Sequence, residues 1–209
     1  MNPVHLLYKP GEVVKHYLEN PNIMKALLFV LLPGIISLIG LFFYGFEVSF
    51  LAEAFNFLAA ILSWIIASIL IALIISLFAR KNVRTEFYGI ASAVSLTRFL
   101  GAIAVLMFLF IPAILPSEIF DSARQFHTGQ ITLNESIDAI SNAMNSEAFV
   151  SALPAVTAII ILVLIFALIS VFVYYHIIAK KVNSNFLVHS IALICFLLLD
   201  VVFLALIGL

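Results

Sequence analysis

Charged residues are scarce in this sequence. Asp, Glu, Lys and Arg make up 10% of its 209 residues, whereas soluble domains carry about 25%. Basic and acidic side chains nearly balance, at a net charge of −1, so the chain has no basic field of the kind that nucleic-acid-binding proteins use. A soluble domain and a nucleic-acid partner are therefore not expected.

Cysteine and catalytic motifs are also scarce. The one cysteine, Cys195, can form neither an intrachain disulfide nor a cysteine-based metal site. The sequence contains no H-E-x-x-H or G-x-S-x-G motif, no phosphate loop and no pair of intramembrane aspartates. His176 and His189 have no carboxylate or thiolate partner, which favours an interfacial polar role over metal binding. We therefore expect no cofactor and no catalytic site.

Long apolar runs fill most of the chain, which is 65% hydrophobic. About 20 apolar residues are enough for a helix to cross a bilayer. Five segments meet this requirement: 26–46, 55–79, 87–115, 148–178 and 186–208. The sequence thus predicts an all-α fold, with residues 1–209 forming one polytopic domain of five transmembrane helices.

The basic residues fall on one side of these five runs. Short loops rich in Lys and Arg stay in the cytoplasm. Eight basic residues share one side: Lys9, Lys15, Lys25, Arg80, Lys81, Arg84, Lys180 and Lys181. The other side has only Arg124. We expect a multi-pass protein of the cell membrane with a cytoplasmic N-terminus and an external C-terminus.

Two segments outside the runs have amphipathic helical patterns. Residues 10–20 predict a short helix that either lies in the inner membrane interface or packs on the spans. The outer loop, 116–147, predicts two amphipathic helices over the outer mouth of the bundle. Thr132 and Glu135 have the spacing of a capping box at the start of the second helix.

Small residues recur every fourth position in two neighbouring spans. The third span carries Gly89, Ala93, Thr97 and Gly101, and the second carries Ser68, Ala72 and Ser76. Such stripes let helix backbones approach closely in lipid. We expect these two stripes to face each other across a tight antiparallel contact.

Arg98 and Asp200 are the two charges well inside the predicted spans. A charge at the bilayer centre costs about 2.5–3.5 kcal/mol on insertion scales. Three explanations remain open: a substrate or proton site, an ion pair between helices, or side chains that snorkel to the interface.

The opening of the chain and its predicted topology resemble the Yip1 domain family. The relevant stretches are Leu7-Tyr8-Lys9-Pro10-Gly11-Glu12, then Glu19-Asn20-Pro21-Asn22, and then an apolar run that Pro33-Gly34 is expected to break. A short amphipathic lead, a Pro-bounded turn and five spans form the outline of this family. The resemblance implies a compact prokaryotic-type member, and it assigns no functional residue.

Two classes of function follow from these patterns. The first is a non-enzymatic membrane protein that organises membrane lipids or other membrane proteins, or that self-associates. The second is a transport component, either a permease-like subunit or an oligomeric channel, that uses Arg98 and Asp200. An intramembrane enzyme would need reactive groups that the sequence does not show.

Overall fold

The computed structural model describes residues 2–79 and 82–182 together with positions 187, 190, 191 and 194. The fold is all-α, as predicted, and the described part of the chain contains no strand. A 3-10 helix over Pro3–Leu7 precedes eight α-helices. These are α1 (Pro10–Glu19), α2 (Ile23–Phe43), α3 (Phe50–Ala79), α4 (Val83–Phe108), α5 (Ile111–Ile114), α6 (Ser117–His127), α7 (Leu133–Met144) and α8 (Glu147–Ala179).

Four stretches of the described chain are long and apolar enough to cross a membrane. They are Ile23–Phe43, Phe50–Ala79, Glu86–Ile114 and Glu147–Ala179. They match the first four predicted spans, and together they make the fold an all-α membrane-type bundle. The fifth predicted span, 186–208, lies almost entirely outside the described residues, so a total of five stays a prediction.

Polar caps, and not the edges of the apolar runs, set where three of these helices begin. The Asn22 side chain accepts a hydrogen bond from the Lys25 amide at 2.9 Å. Asn82 caps α4 in the same way, and Ser146 caps α8. Each cap satisfies one of the free amides in the first helical turn, so the helices begin a few residues before the apolar runs do.

Two prolines in the spans have different effects. The prediction that Pro33-Gly34 breaks the first span is wrong, because α2 continues through Pro33 without interruption. Prolines are tolerated in membrane helices where neighbouring groups satisfy the freed backbone. By contrast, α4 ends at Phe108 and Pro112 lies within the short α5, so the third predicted span consists of two helices.

Helix α4 is the centre of the bundle. It contacts α1, α2, α3 and α8, and every residue from Ile90 to Arg98 is buried. Nine consecutive buried positions cover about two and a half helical turns, so protein surrounds this segment on all sides. Ala91, Ser92 and Ala93 keep the surface of α4 small where its neighbours approach.

Helix α1 packs on the bundle, which decides between the two alternatives left open for the segment 10–20. Val13 and Val14 are fully buried and Tyr17 is 3% exposed. The helix lies against α4 and α8, while Glu12, Lys15 and Glu19 remain exposed. The apolar face therefore contacts protein, and the polar face of α1 covers this end of the bundle.

Helices α6 and α7 form a hairpin at the other end. The predicted capping box is present, since the Thr132 side chain accepts from the Glu135 amide and the Glu135 carboxylate accepts from the Thr132 amide. The two helices pack mainly on each other, and the bundle touches them mainly at their connections to α5 and α8. That both helices cover the outer mouth of the bundle stays a prediction.

Candidate functional site: a buried polar segment at the centre of the bundle

Four polar side chains lie within the buried segment of α4: Ser92, Ser95, Thr97 and Arg98. The exposed fractions of Thr97 and Arg98 are 4% and 5%, and the two serines are fully buried. Neighbouring helices add Ser68 from α3 and Ser170 from α8, which are also buried. A buried polar group without a hydrogen bond is costly in lipid, so the partners of these groups define what the segment can do.

Most of the buried hydroxyls donate to their own helix. The bonds are Ser68 Oγ to Trp64 O at 2.7 Å, Ser95 Oγ to Ser92 O at 2.8 Å, Thr97 Oγ1 to Val94 O at 2.9 Å and Ser170 Oγ to Phe166 O at 3.1 Å. Back-bonding of this kind satisfies the hydroxyl without a partner on another helix. A hydroxyl bonded in this way faces a carbonyl instead of a general base, and such a base is what a nucleophilic serine requires.

One polar contact joins α4 to each of three neighbouring elements. These are Trp64 Nε1 of α3 to Ala91 O at 2.8 Å, the Asn22 amide at the start of α2 to Ser92 Oγ at 3.2 Å, and Thr97 Oγ1 to the Tyr174 hydroxyl of α8 at 3.4 Å. Tryptophan and tyrosine place a polar atom at the end of an apolar body. The contacts therefore fix the rotation of α4 relative to its neighbours.

Arg98 lies in this polar segment and not on the lipid-facing surface. Its position is seven residues after Ala91, which returns to nearly the same face of a helix. Helical periodicity thus places Arg98 near the face of Ala91, two turns further along α4. With an exposed fraction of 5%, the Arg98 side chain is surrounded by protein groups, and the three explanations for it stay predictions. Asp200 lies outside the described residues, so the proposed pair stays a prediction.

Most residues of the two small-residue stripes lie in the packed part of the bundle. Ala93, Thr97, Ser68 and Ala72 are buried, and Ser76 is half-buried. A side chain at Gly89 would meet the Leu18 carbonyl oxygen of α1 at 2.6 Å, whereas one at Gly101 would have no neighbour within 4 Å. The stripe on α4 therefore does not face α3 along its whole length. Gly89 allows close contact with α1, whereas no other helix lies close to Gly101.

The end of the bundle covered by α1 has a second polar group of contacts. Lys181 Nζ lies 2.6 Å from Glu86 Oε2, and both side chains are largely shielded from solvent, with exposed fractions of 20% and 16%. This pair connects the beginning of α4 to the residues after α8. Nearby, a side chain at Gly11 would lie 3.1 Å from the His176 ring, so a glycine lets α1 approach α8 closely.

Sequence reasoning missed several residues that hold this centre together. Trp64 is the one tryptophan of the chain, and an indole N–H inside a span needs an acceptor, which was a usable signal. Ser92 and Ser95 lie between the stripe positions, so a spacing of four residues does not detect them. The pair of Glu86 and Lys181 had no signal, because the first turn of α4 and the residues after α8 are far apart in the sequence.

The described residues contain no group of three or more His, Cys, Asp or Glu side chains that could hold a metal ion. His176 faces Gly11, and His189 lies outside the described range. The arrangement can position helices and bury one guanidinium. Neither a cofactor nor a metal follows from it.

In comparisons with known proteins, no family model, no curated protein and no solved structure matches this chain. The fold and the buried polar segment define the class of protein: an all-α membrane-type bundle whose central helix carries buried polar side chains.

Proposed function

We propose that this chain is a non-enzymatic integral membrane protein of the Yip1-like type, which organises other membrane proteins or lipids through helix–helix and interfacial contacts. The observation that carries the proposal is the unequal burial of its spans. Only 17% of the most apolar window is buried in α2 and in α8, against 44% in α3. Most residues in these two windows are thus not fully buried by the protein, so their exposed side chains are available to lipids and partner helices.

The polar interior supports a structural role for the centre of the bundle. Its hydroxyls donate mainly to carbonyls of their own helices, and its contacts between helices fix α4 against α2, α3 and α8. A rigid centre with open outer helices suits a scaffold, because the outer faces keep a constant geometry while partners exchange. The resemblance to the Yip1 domain family is consistent with this role and belongs to the proposal.

The proposal includes an orientation in the cell membrane, with the N-terminus in the cytoplasm and the C-terminus outside. Short loops rich in Lys and Arg stay cytoplasmic. The packing of α1 against α4 and α8 supports the assignment, because it brings Lys15 of α1 and the preceding Lys9 to the same end as Arg84 and Lys181. The α6–α7 hairpin then lies outside.

Site-specific photo-cross-linking in native membranes tests the proposed function. A photoreactive residue replaces Ile39 of α2 or Leu168 of α8, which are 60% and 61% exposed, and the control replaces the fully buried Ile71. We expect discrete protein adducts or one enriched lipid species at the two exposed positions and none at the control. Adducts that only mirror the bulk lipid composition, at both exposed positions, would contradict the proposal.

A transport component remains the second candidate, and the burial of Arg98 at the centre of the bundle favours it. A buried charge inside a span is a common mark of an ion or substrate pathway. Reconstitution into liposomes with a screen of ion and solute fluxes tests this candidate, with Arg98→Lys as the matched variant. A flux that Arg98→Lys alters would support transport through Arg98 and, with Asp200, through the predicted pair. The scaffold proposal expects no flux.

A further inference from the structure

Helix α7 buries two of its small residues and exposes three of its four large apolar ones, while the fourth, Ile140, is half-buried. Leu133, Ile137 and Met144 are 55%, 54% and 48% exposed, whereas Ser136 and Ala143 are 4% and 8% exposed. The three large side chains lie on one face, since their spacings of four and seven residues return to the same side of a helix. This arrangement is the reverse of the usual packing of an amphipathic helix, whose apolar face contacts the protein core.

The seam between α6 and α7 explains the reversal. Ser122 of α6 is buried, and its carbonyl accepts from Ser136 Oγ at 3.4 Å. Small side chains at this contact let the two helices approach closely, and the large side chains are left beside the seam. On α6, Ile119 and Ala123 are half-buried and Phe126 is 45% exposed, so this helix also has apolar side chains that the protein does not cover.

The hairpin therefore has two different sides. Its polar side borders a cleft of about 580 Å³, whose polar lining includes Glu118, Asp121, Gln125 and Asn142. The other side, which we call the apolar side, carries the apolar row of α7 with Leu133, Ile137 and Met144. Helical periodicity places Glu135 and Asp138 away from the apolar row of α7. The apolar row of α7 thus carries no charge that would resist burial in lipid.

Its position in the chain holds the hairpin close to the ends of two membrane-type helices. Two residues separate α5 from α6, and two separate α7 from α8, so the hairpin is held against the ends of two apolar helices. The first turns of α8 also carry exposed apolar side chains, since Val150 and Leu153 are 59% and 42% exposed. Met144 is six residues from Val150. Amphipathic helices attached to a membrane in this way bury their apolar face at the boundary of headgroups and acyl chains.

We propose that the apolar side of the α6–α7 hairpin rests in the bilayer interface, and that its binding partner is the lipid surface. The inference deepens the proposed function and rests on it, since it names the interfacial contact through which the protein engages lipid. The polar cleft then faces away from the acyl chains. The hairpin then lies in the bilayer interface beside the spans.

Fluorescence quenching tests the proposal in the full chain. Ile137→Cys on the apolar side is labelled with an environment-sensitive fluorophore in a Cys195→Ser background, so that the label has one attachment site. Asn142→Cys, an exposed position that lines the cleft, is the matched control. Both proteins are reconstituted into vesicles of phosphatidylcholine brominated near the headgroup, at several protein-to-lipid ratios.

The expected result is a blue-shifted emission at position 137, with quenching several-fold stronger than at position 142 and independent of protein density. Equal quenching at the two positions would overturn the proposal. Shielding at position 137 that grows with protein density would also overturn it, because a second copy of the chain would then cover this side. The cross-linking at Ile39 and Leu168 gives its result independently, so failure of the hairpin proposal and failure of the scaffold proposal are distinguishable.

Discussion

Gly89 and Gly101 belong to the same predicted stripe but have opposite surroundings. A methyl group at position 89 would meet the Leu18 carbonyl oxygen at 2.6 Å, and one at position 101 would meet nothing within 4 Å. We expect Gly89→Ala to destabilise the protein by about 1–3 kcal/mol, because backbone must move to relieve the overlap. Thermal unfolding in nanodiscs measures the loss.

Gly101→Ala is the matched control for Gly89→Ala. Alanine favours a helix over glycine by about 1 kcal/mol, so this variant should unfold at the same temperature as the parent or above it. The same small change at two positions of one helix separates close packing from composition. A loss of stability at position 101 equal to that at position 89 would show that the contact of α1 with α4 is not the cause.

Arg98 supports a second prediction at the scale of single residues. If the buried guanidinium pairs with Asp200, Arg98→Leu alone and Asp200→Leu alone should each destabilise the protein by about 3–5 kcal/mol, since each leaves a buried charge uncompensated. The double variant should recover much of the loss. Thermal stability of the four proteins in nanodiscs provides the measurement, and losses that simply add would show that the two charges act independently.

At the scale of helices, the start of α7 depends on one carboxylate. The Thr132 amide and hydroxyl donate to Glu135 Oε2 at 2.7 and 2.9 Å, and these bonds lower the pKa of Glu135 below its usual value. A carboxyl group whose pKa is lower in the folded state stabilises that state above its unfolded pKa, and this contribution is lost as pH falls through the folded pKa. The protection of the amides at the start of α7, measured as their exchange rate relative to the intrinsic rate at the same pH, should therefore fall in acid.

Glu135→Gln tests the same cap without a titrating charge. The glutamine keeps an oxygen that can accept from Thr132, so the amides of the first turn should be only somewhat less protected than in the parent. Their protection relative to the intrinsic exchange rate should no longer fall in acid. Exchange in α8 should not change, which makes α8 an internal reference. An acid dependence that persists in Glu135→Gln would assign the effect to another group.

The helices differ in how well the sequence predicted them. Four apolar runs gave four of the observed long segments, because burial in lipid requires a continuous stretch of apolar side chains. The starts were less accurate: α3 begins at Phe50, five residues before the predicted run, since its first turn carries the polar Glu53. Hydropathy does not detect polar turns, whereas local capping chemistry, as at Thr132, was predicted correctly.

The contacts of the candidate site were the least predictable part. A repeat of small residues identified α4 as a packed helix but did not identify its neighbours. Gly89 contacts α1 because the chain folds back from a position some 70 residues earlier, and a periodic pattern within one helix contains no information about that return. The apolar rows of α6 and α7 were visible in the sequence. The two helices nevertheless contact each other through the small side chains of Ser122 and Ser136, which the apolar pattern does not predict.

For the whole molecule, the distribution of Lys and Arg predicts an outcome that reporter fusions can measure. Alkaline phosphatase is active only outside the cytoplasm. We expect activity for a fusion after Leu209 and none for an insertion at Asn82, because the basic loops stay cytoplasmic. Activity at Asn82 with none after Leu209 would reverse the orientation, and would place the α6–α7 hairpin in the cytoplasm.

The packing of α1 has a consequence for the biosynthesis of the chain. Gly11 of α1 lies against His176 at the end of α8, a residue that the ribosome adds about 165 positions later. At a synthesis rate of about 5–20 residues per second, α8 is complete on the order of ten to thirty seconds after α1. Until then α1 can pack only on α4 and not on α8. During that interval Val13, Val14 and Tyr17 lack part of their final cover. Seating of the first helix is therefore among the last steps of assembly, and a nascent chain truncated before α8 would keep this segment accessible to chaperones and proteases.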